Sequence, residues 1–183
     1  MASFKQVDLK KINYIYTDTS VLLFHLGHNR NNTLKNKCSE LITDAYNAKV
    51  PLILSEHAKQ EMLHVLISSS FKNAGYSRED DIKYLRKQRP EEYEKLLRQG
   101  IDTYENYMRA LRNTDAFLED ALYADKATHN KKLELMKQYN IFGAPDAYHL
   151  ALALENGIDC FASCDSDFKN LSIPGLTILY EGR

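Results

Sequence analysis

The chain has 183 residues, a formal net charge of −1, 44% hydrophobic residues and 27% charged residues. These values are typical of one globular domain, and the small net charge excludes a global attraction for a polyanion, so any basic contact surface must be local. No apolar run approaches the ~20 residues that span a bilayer, and the polar N-terminal segment lacks the apolar stretch of a signal peptide. We therefore expect a cytoplasmic protein with no membrane partner.

The first predicted elements are a strand and two helices. Residues 14–17 form a short apolar run that breaks at Asp18, where the following Thr or Ser can cap a helix. That helix is predicted to end at Leu26. Apolar residues at helical spacing then predict a longer helix from Leu34 to Ala48.

A second strand and helix follow. The run Pro51–Leu54 predicts the strand, and Ser55 is a candidate N-cap for a helix that continues to about Ser68. Glu61 falls within the apolar stripe of this helix. Because carboxylates are rarely buried unless they are paired or bind a metal, its position indicates a function.

The middle of the chain differs in texture, since residues 71–140 are helical in pattern, rich in tyrosine and heavily charged. Their period predicts one long helix with an interruption at Gly100 and further helical pieces at 115–123 and 127–139. Because no change in composition marks a second domain, we expect a single domain over residues 1–183 with a helical insertion at about 71–140.

Strand and helix alternation returns in the last part. The segment Gly-Ala-Pro at 143–145 starts a helix with Asp146 in its first turn, and Gly157 ends that helix. Residues 159–162 and 177–180 predict the last two strands. Alternation without hairpin signals predicts an α/β fold with a mainly parallel sheet.

Four carboxylates occupy strand ends or helix faces where an apolar residue would fold more easily: Asp18, Glu61, Asp146 and Asp165. Ligands of open parallel sheets bind outside the carboxyl ends of the strands, so these acids can share one pocket. Two such charges ~4 Å apart repel by roughly 4 kcal/mol at an effective dielectric of ~20, and a divalent cation reverses the sign of that energy. An all-oxygen ligand set suits Mg²⁺ or Mn²⁺, which can hold the water that attacks a phosphodiester.

The same segments resemble the PIN-domain ribonuclease family across residues 12–70 and 141–181. They are Tyr16-Thr17-Asp18-Thr19-Ser20, Ser55 followed six residues later by Glu61, Asp146-Ala147 at the start of an Ala/Leu helix, and Ser163-Cys164-Asp165-Ser166-Asp167-Phe168. The helical stretch from about 71 to 140 is longer than in the small PIN-domain toxins that the chain otherwise resembles.

The resemblance implies a three-layer α/β/α fold and a Mg²⁺- or Mn²⁺-dependent endoribonuclease, such as the toxin of a toxin–antitoxin pair or a related stress or defence nuclease. It implies catalytic, metal-binding roles for the four acids, a fifth metal-site acid at Asp167 and supporting roles for Thr19 and Ser163. The partners that it implies are an RNA substrate, an antitoxin protein and a second copy of the chain.

Each acid also has an explanation that needs no chemistry. Asp18 could cap a helix, Glu61 could point to solvent at the edge of its stripe, and Asp146 could favour the positive end of its helix. Asp165 and Asp167 could be turn residues. Capping does not explain Glu61, and for this reason the shared site is the preferred hypothesis.

A zinc site is the weaker metal hypothesis. His25 and His28 are three residues apart, as are Asp146 and His149, but no cysteine or third histidine stands at a convincing spacing. The chain's cysteines form no CxxC pair, which argues against a zinc ribbon and against a disulfide framework.

The insertion contains one concentrated basic run, and its candidate RNA contacts are Lys83, Arg86, Lys87 and Arg89. Together with Tyr84 they could hold an RNA backbone and stack a base. The alternative is a solvated helix whose tyrosines face the core.

Two rival functions remain open from the sequence. One is a PIN-like module that binds RNA or protein and cleaves nothing, although an idle acid cluster would then carry its repulsion without benefit. The other is a structure-specific DNA nuclease, since the acids do not distinguish RNA from DNA. A haloacid-dehalogenase-type phosphatase would need a second Asp two residues after Asp18, where Ser20 stands.

Overall fold

The structure is a computed structural model that describes residues 3–4, 7–28, 31–119, 122–141 and 143–182. The chain divides into two compact units. The α/β unit comprises Met1–Ala58 and Asp115–Arg183, and the helical unit comprises Lys59–Thr114.

A five-stranded parallel sheet forms the centre of the α/β unit. Its strands are β1 (Ile15–Thr17), β2 (Leu52–Ile53), β3 (Phe117–Leu118), β4 (Cys160–Ser163) and β5 (Thr177–Tyr180). Their spatial order is β3-β2-β1-β4-β5, so β1 lies in the middle and pairs with β4 along one side. Since Thr17 pairs with Ala162 in parallel register, β1 and β4 end side by side at one edge of the sheet.

The helices are α1 (Thr19–Leu26), α2 (Asn32–Ala48), α3 (Glu56–Asn73), α4 (Glu79–Gln88), α5 (Pro90–Arg112), α6 (Lys126–Tyr139) and α7 (Ala144–Glu155). In the α/β unit they cover both faces of the sheet. Ile15 packs in a cluster with Cys38 of α2, whereas the next strand residue, Tyr16, packs in a second cluster with Leu135 of α6 and Leu150 of α7. Alternation of strand side chains between two helical layers is the three-layer α/β/α arrangement, so the predicted fold class is confirmed.

The helical unit has a core of its own. Phe71, Leu85 and Leu96 are its buried centre. A Cβ atom at Gly100 would lie 2.6 Å from the Cα atom of Ile67, so α5 can approach α3 this closely only with a glycine there. The helix α5 is continuous through Gly100, and the interruption that the sequence predicts at this residue is therefore wrong.

Two further boundaries differ from the prediction. The segment predicted as helix at 115–123 contains strand β3, where Phe117 pairs with Leu52. A strand of two residues is too short to show a period-2 pattern, so the sequence could not reveal it. The helix predicted at 127–139 is present as α6, but it belongs to the α/β unit and not to the helical unit.

Among the described residues, we find no helix with the length and hydrophobicity that a membrane span requires.

Candidate active site

Asp18 lies directly after β1 and is held by three hydrogen-bond donors. Its Oδ1 atom accepts the backbone N–H of Thr19 at 2.8 Å, and its Oδ2 atom accepts the hydroxyls of Ser20 at 2.5 Å and Ser163 at 2.7 Å. The residue is only 5% exposed. Asp18 is therefore the N-cap of α1, but the two hydroxyls on Oδ2 fix the carboxylate more firmly than capping requires.

Ser163, the last residue of β4, joins the acids of the two strand ends. Its hydroxyl donates to Asp18 and accepts the backbone N–H of Asp165 at 2.9 Å. Asp165 is exposed, and its Oδ1 atom accepts the backbone N–H of Asp167 at 3.1 Å at the start of a short 3₁₀ helix. Asp165 therefore has the turn role that the sequence allows, and it is also linked to Asp18 through Ser163.

Asp146 lies in the first turn of α7, and its pKa is raised to about 6. Burial is the largest cause, followed by the negative charges of Asp165, Asp18 and Asp167, while His149 acts in the opposite direction. Charges shift a pKa in this way only when they are near, so the structure brings these four predicted acids together. We call Asp18, Asp146, Asp165 and Asp167 the acid cluster.

Gly143 makes room for the acid of α7. A Cβ atom at this position would lie 1.8 Å from the Oδ2 atom of Asp146, so any other residue would displace the carboxylate. The sequence shows Gly143 only as the start of a helix. The structure shows that a glycine is needed at this position because the carboxylate of Asp146 occupies the space of a Cβ atom.

A buried polar chain lies behind Asp18, and the sequence analysis missed it. The hydroxyl of Tyr16 lies 2.6 Å from the Oγ atom of Ser55 and 2.6 Å from the Nδ1 atom of His149. The Nε2 atom of His149 lies 3.8 Å from the Oδ1 atom of Asp18. His149 of α7 thus places a polar group behind Asp18, and Tyr16 links that histidine to Ser55. The available signal was His149 one turn after Asp146 in a helix that is otherwise apolar.

The model of the PIN domain family matches residues 15–174. The chain belongs to the PIN domain family. It is also similar in structure to VapBC2 from Rickettsia felis, solved bound to a DNA fragment from their promoter, with a TM-score of 0.53 and 11% sequence identity over 91% of this chain and 98% of that chain. At this identity the likeness shows the fold alone. No curated protein matches the chain.

The family match covers strands β1 to β4 and the whole acid cluster of this PIN domain. The recognition made from the four sequence segments is therefore confirmed.

Two other predicted site residues, Thr19 and Glu61, have surroundings that differ from those of the acid cluster. The Thr19 hydroxyl donates to the carbonyl of Ala58 at 3.4 Å, and Glu61 lies half-buried on α3, one helical turn after His57 and within the helical unit.

The histidines proposed for zinc are engaged in other contacts. The Nδ1 atom of His25 lies 2.8 Å from the hydroxyl of Ser39 on α2, and burial lowers the pKa of His25 and of His28. His149 belongs to the chain behind Asp18, with its ring 4.6 Å from that of His57 between centroids. These contacts favour hydrogen-bonding roles for His25 and His149 in the PIN domain.

The basic residues of the insertion lie in contacts inside the helical unit. Lys83 pairs with Glu79 at 2.7 Å, and Arg89 pairs with Glu92 at 2.7 Å. The Arg86 guanidinium lies 5.8 Å from the centre of the Tyr93 ring, and Lys87 is exposed. The alternative of a solvated helix explains these contacts, and a role in RNA binding stays a prediction.

Proposed function

We propose that this PIN domain is a metal-dependent endoribonuclease that hydrolyses phosphodiester bonds of RNA. The observation that carries the proposal is the acid cluster, in which burial and then the neighbouring negative charges raise the pKa of Asp146 to about 6. Groups with pKa values perturbed by burial and by specific charged neighbours are candidates for function. Membership of the PIN domain family supports the same activity.

A divalent cation fits the acid cluster because its donors are carboxylate oxygens and its net charge is negative. Asp18, Asp146 and Asp165 are the residues that would hold the ion, with Asp167 beside them. When bound, Mg²⁺ or Mn²⁺ supplies the positive charge that offsets the repulsion and activates water toward a phosphodiester. We keep Glu61 as a further metal-site acid on its place in the sequence pattern alone.

The remaining residues of the site orient these acids. Ser20 and Ser163 donate to one oxygen of Asp18 and so fix the direction of the carboxylate. Ser163 also binds the backbone of Asp165, which couples the two strand ends. The exposed position of Asp165 lets an extended RNA strand reach the acid cluster.

The biological setting that we propose is a toxin–antitoxin pair or a related stress or defence system in the cytoplasm. The resemblance to PIN-domain toxins and the shared fold with VapBC2 support it. A protein antitoxin would place Arg or Lys against the acid cluster, since guanidinium and ammonium groups bind carboxylates strongly. A homodimer is part of the same proposal.

The deciding experiment is cleavage of labelled single-stranded RNA and of matched DNA in Mn²⁺, Mg²⁺ or EDTA. Wild type is compared with Asp146→Asn and with the control Asp159→Asn. Asp159 is a suitable control because its carboxylate accepts the backbone N–H groups of Asn13 and Tyr14. These residues lie just before the start of β1 and β4, whereas the acid cluster lies where the two strands end. Both substitutions remove one negative charge.

The proposal requires metal-dependent RNA cleavage by wild type and Asp159→Asn, and its loss in Asp146→Asn. Cleavage of DNA alone would identify a DNA nuclease instead. Binding of RNA without cleavage by any protein in any metal would identify a binding module.

A further inference from the structure

Two cysteine thiols that are far apart in sequence meet beside the acid cluster. The Sγ atoms of Cys38 on α2 and Cys164 after β4 lie 3.4 Å apart. Cys38 is 0% exposed and Cys164 is 8% exposed. We propose that Cys38 and Cys164 are a thiol pair that excess peroxide oxidises, a modification site that closes reversibly to a disulfide.

The backbone of Cys164 is part of the hydrogen-bonded frame of the acids. Its N–H donates to the Ser20 hydroxyl at 2.9 Å, and that hydroxyl donates to Asp18. Cys164 also stands between Ser163 and Asp165, which are joined by a hydrogen bond of their own. A covalent change at Cys164 is therefore transmitted to both strand ends through bonds that already exist.

One residue of the pair lies at the wall of a cavity. Cys164 lines a cavity of about 400 Å³ together with Asp165 and the exposed residues Ser166 and Lys169. This volume is ample for a hydrogen peroxide molecule. Cys38 is fully buried and lies within contact distance of Cys164. In the proposed sequence the less buried Cys164 therefore reacts first, and Cys38 resolves the product.

The chemistry balances with peroxide as the only added reactant. The sulfur of Cys164 attacks one peroxide oxygen, the O–O bond breaks, and a sulfenic acid and one water result. The sulfur of Cys38 then attacks the sulfenic sulfur and releases a second water as the S–S bond forms. Two thiols lose two protons and two electrons, and hydrogen peroxide is reduced to two waters.

The pair is a slow responder under ordinary conditions. Both thiols are buried, and buried thiols react slowly with oxidants. Because the thiolate is the nucleophile, oxidation needs peroxide in excess. A reducing cytosol keeps the pair as two thiols until such an excess arises.

Disulfide formation must bring the two sulfur atoms from 3.4 Å to about 2.05 Å. This contraction pulls Cys164 toward α2 and away from the arrangement in which its N–H binds Ser20. On the basis of the proposed nuclease function, we expect the oxidised protein to lose about tenfold or more of its activity, the size of effect seen when groups that orient metal ligands are displaced.

The experiment uses the Cys160→Ala variant as the parent. Cys160 and Cys164 would otherwise fall in the same tryptic peptide, 138–169, whereas Cys38 begins the peptide 38–49. Parent and the Cys38→Ala double variant are reduced, treated with hydrogen peroxide, alkylated and digested, and the linked peptides are measured by mass spectrometry. RNA cleavage is measured on the same samples before and after dithiothreitol.

We expect peptides 38–49 and 138–169 to be linked in the oxidised parent and released by dithiothreitol, with activity lost and regained in step. The double variant should show no link and should keep its activity in peroxide. If it does not fold by circular dichroism, Cys38→Ser replaces it.

Absence of the link in the oxidised parent would overturn the modification site. Equal loss of activity in parent and double variant would overturn its effect on the acids. If neither wild type nor the reduced parent cleaves RNA, the nuclease proposal fails, while the peptide link still supports or overturns the thiol pair.

Discussion

The two units of this PIN domain are both rich in charge, but they arrange it in opposite ways. In the helical unit, Lys83 and Arg89 each face a carboxylate one helical turn away. In the α/β unit, like charges are crowded, and they add to the effect of burial in raising the pKa of Asp146. Paired exposed charges contribute little and indicate a solvated surface, whereas crowded like charges cost stability and so indicate a ligand. The following substitutions test this difference, from the largest expected effect to the smallest.

Asp146→Asn should reduce RNA cleavage by about a hundredfold or more, the loss typical when one group that stabilises developing charge is removed. It should also raise the melting temperature of the metal-free protein by about 2–4 °C, because it relieves roughly 1 kcal/mol of repulsion after allowance for the partly exposed side chain. Cleavage assays and thermal denaturation in EDTA measure both. A variant that is fully active would remove Asp146 from the site.

The same gain in stability is not expected for Asp18→Asn, although the charge removed is equal. Asp18 accepts hydrogen bonds from Ser20, Ser163 and the backbone of Thr19, and an amide cannot accept all of them. On the sequence alone the two acids were equivalent. Comparing the two variants by denaturation separates relief of charge from loss of acceptors.

Gly143→Ala should lower cleavage by about ten- to a hundredfold, since the added carbon displaces the carboxylate of Asp146 and a shift of ~1 Å can cost that much. The melting temperature should change far less than the activity does, because the displaced atoms lie at the end of a side chain. Kinetics and thermal denaturation of the same preparation provide the measurement. Wild-type activity would show that the carboxylate does not need its observed position.

Tyr16→Phe should lower activity by about tenfold and raise the Mn²⁺ concentration needed for half-maximal rate, because it leaves His149 without the hydroxyl at its Nδ1 atom. The ring stack with Phe161 is retained. The exposed Tyr46, changed to Phe, is the matched control. A variant with reduced stability but unchanged metal dependence would limit the buried chain to a structural role.

The stability of the metal-free protein should fall as pH rises through the window from about 4 to about 6. The folded-state pKa of Asp146 is raised from 3.8 to about 6, so the folded protein binds more protons than the unfolded chain within that window. The decrease of stability with pH should be less steep in Asp146→Asn than in wild type. In wild type it should also become less steep when Mn²⁺ is present. Urea denaturation at a series of pH values gives the slopes, and identical slopes in both proteins would contradict the raised pKa.

Arg86→Ala and Lys87→Ala should change the KM for RNA by less than about twofold, since the contacts of this region are those of a solvated helix. The measurement is the KM at two salt concentrations. A tenfold rise in KM together with a weaker salt dependence would instead establish an RNA contact. The charges of the helical unit would then also have a role in binding.

Local patterns predicted most of the elements and the candidate acids. The apolar run before Asp18, the helix start before Asp146 and the strand before Ser163 are features of a few consecutive residues, so their periods and breaks are legible in the sequence. Because parallel strands end at a common edge, these local features also predicted that Asp18 and Asp165 would meet.

The contacts that orient the acids were decided only by the tertiary structure. Ser163 binds Asp18 across 145 residues, and His149 meets Tyr16 across 133 residues, because β4 and α7 happen to pack beside β1. The thiols of Cys38 and Cys164 meet because both residues pack in one core cluster. The periodicity of a segment does not predict which side chains of a distant segment it will contact, because such contacts depend on strand order and helix packing. The sequence therefore specifies which groups are available for chemistry, and the packing of β1 against β4 and α7 decides how they are held.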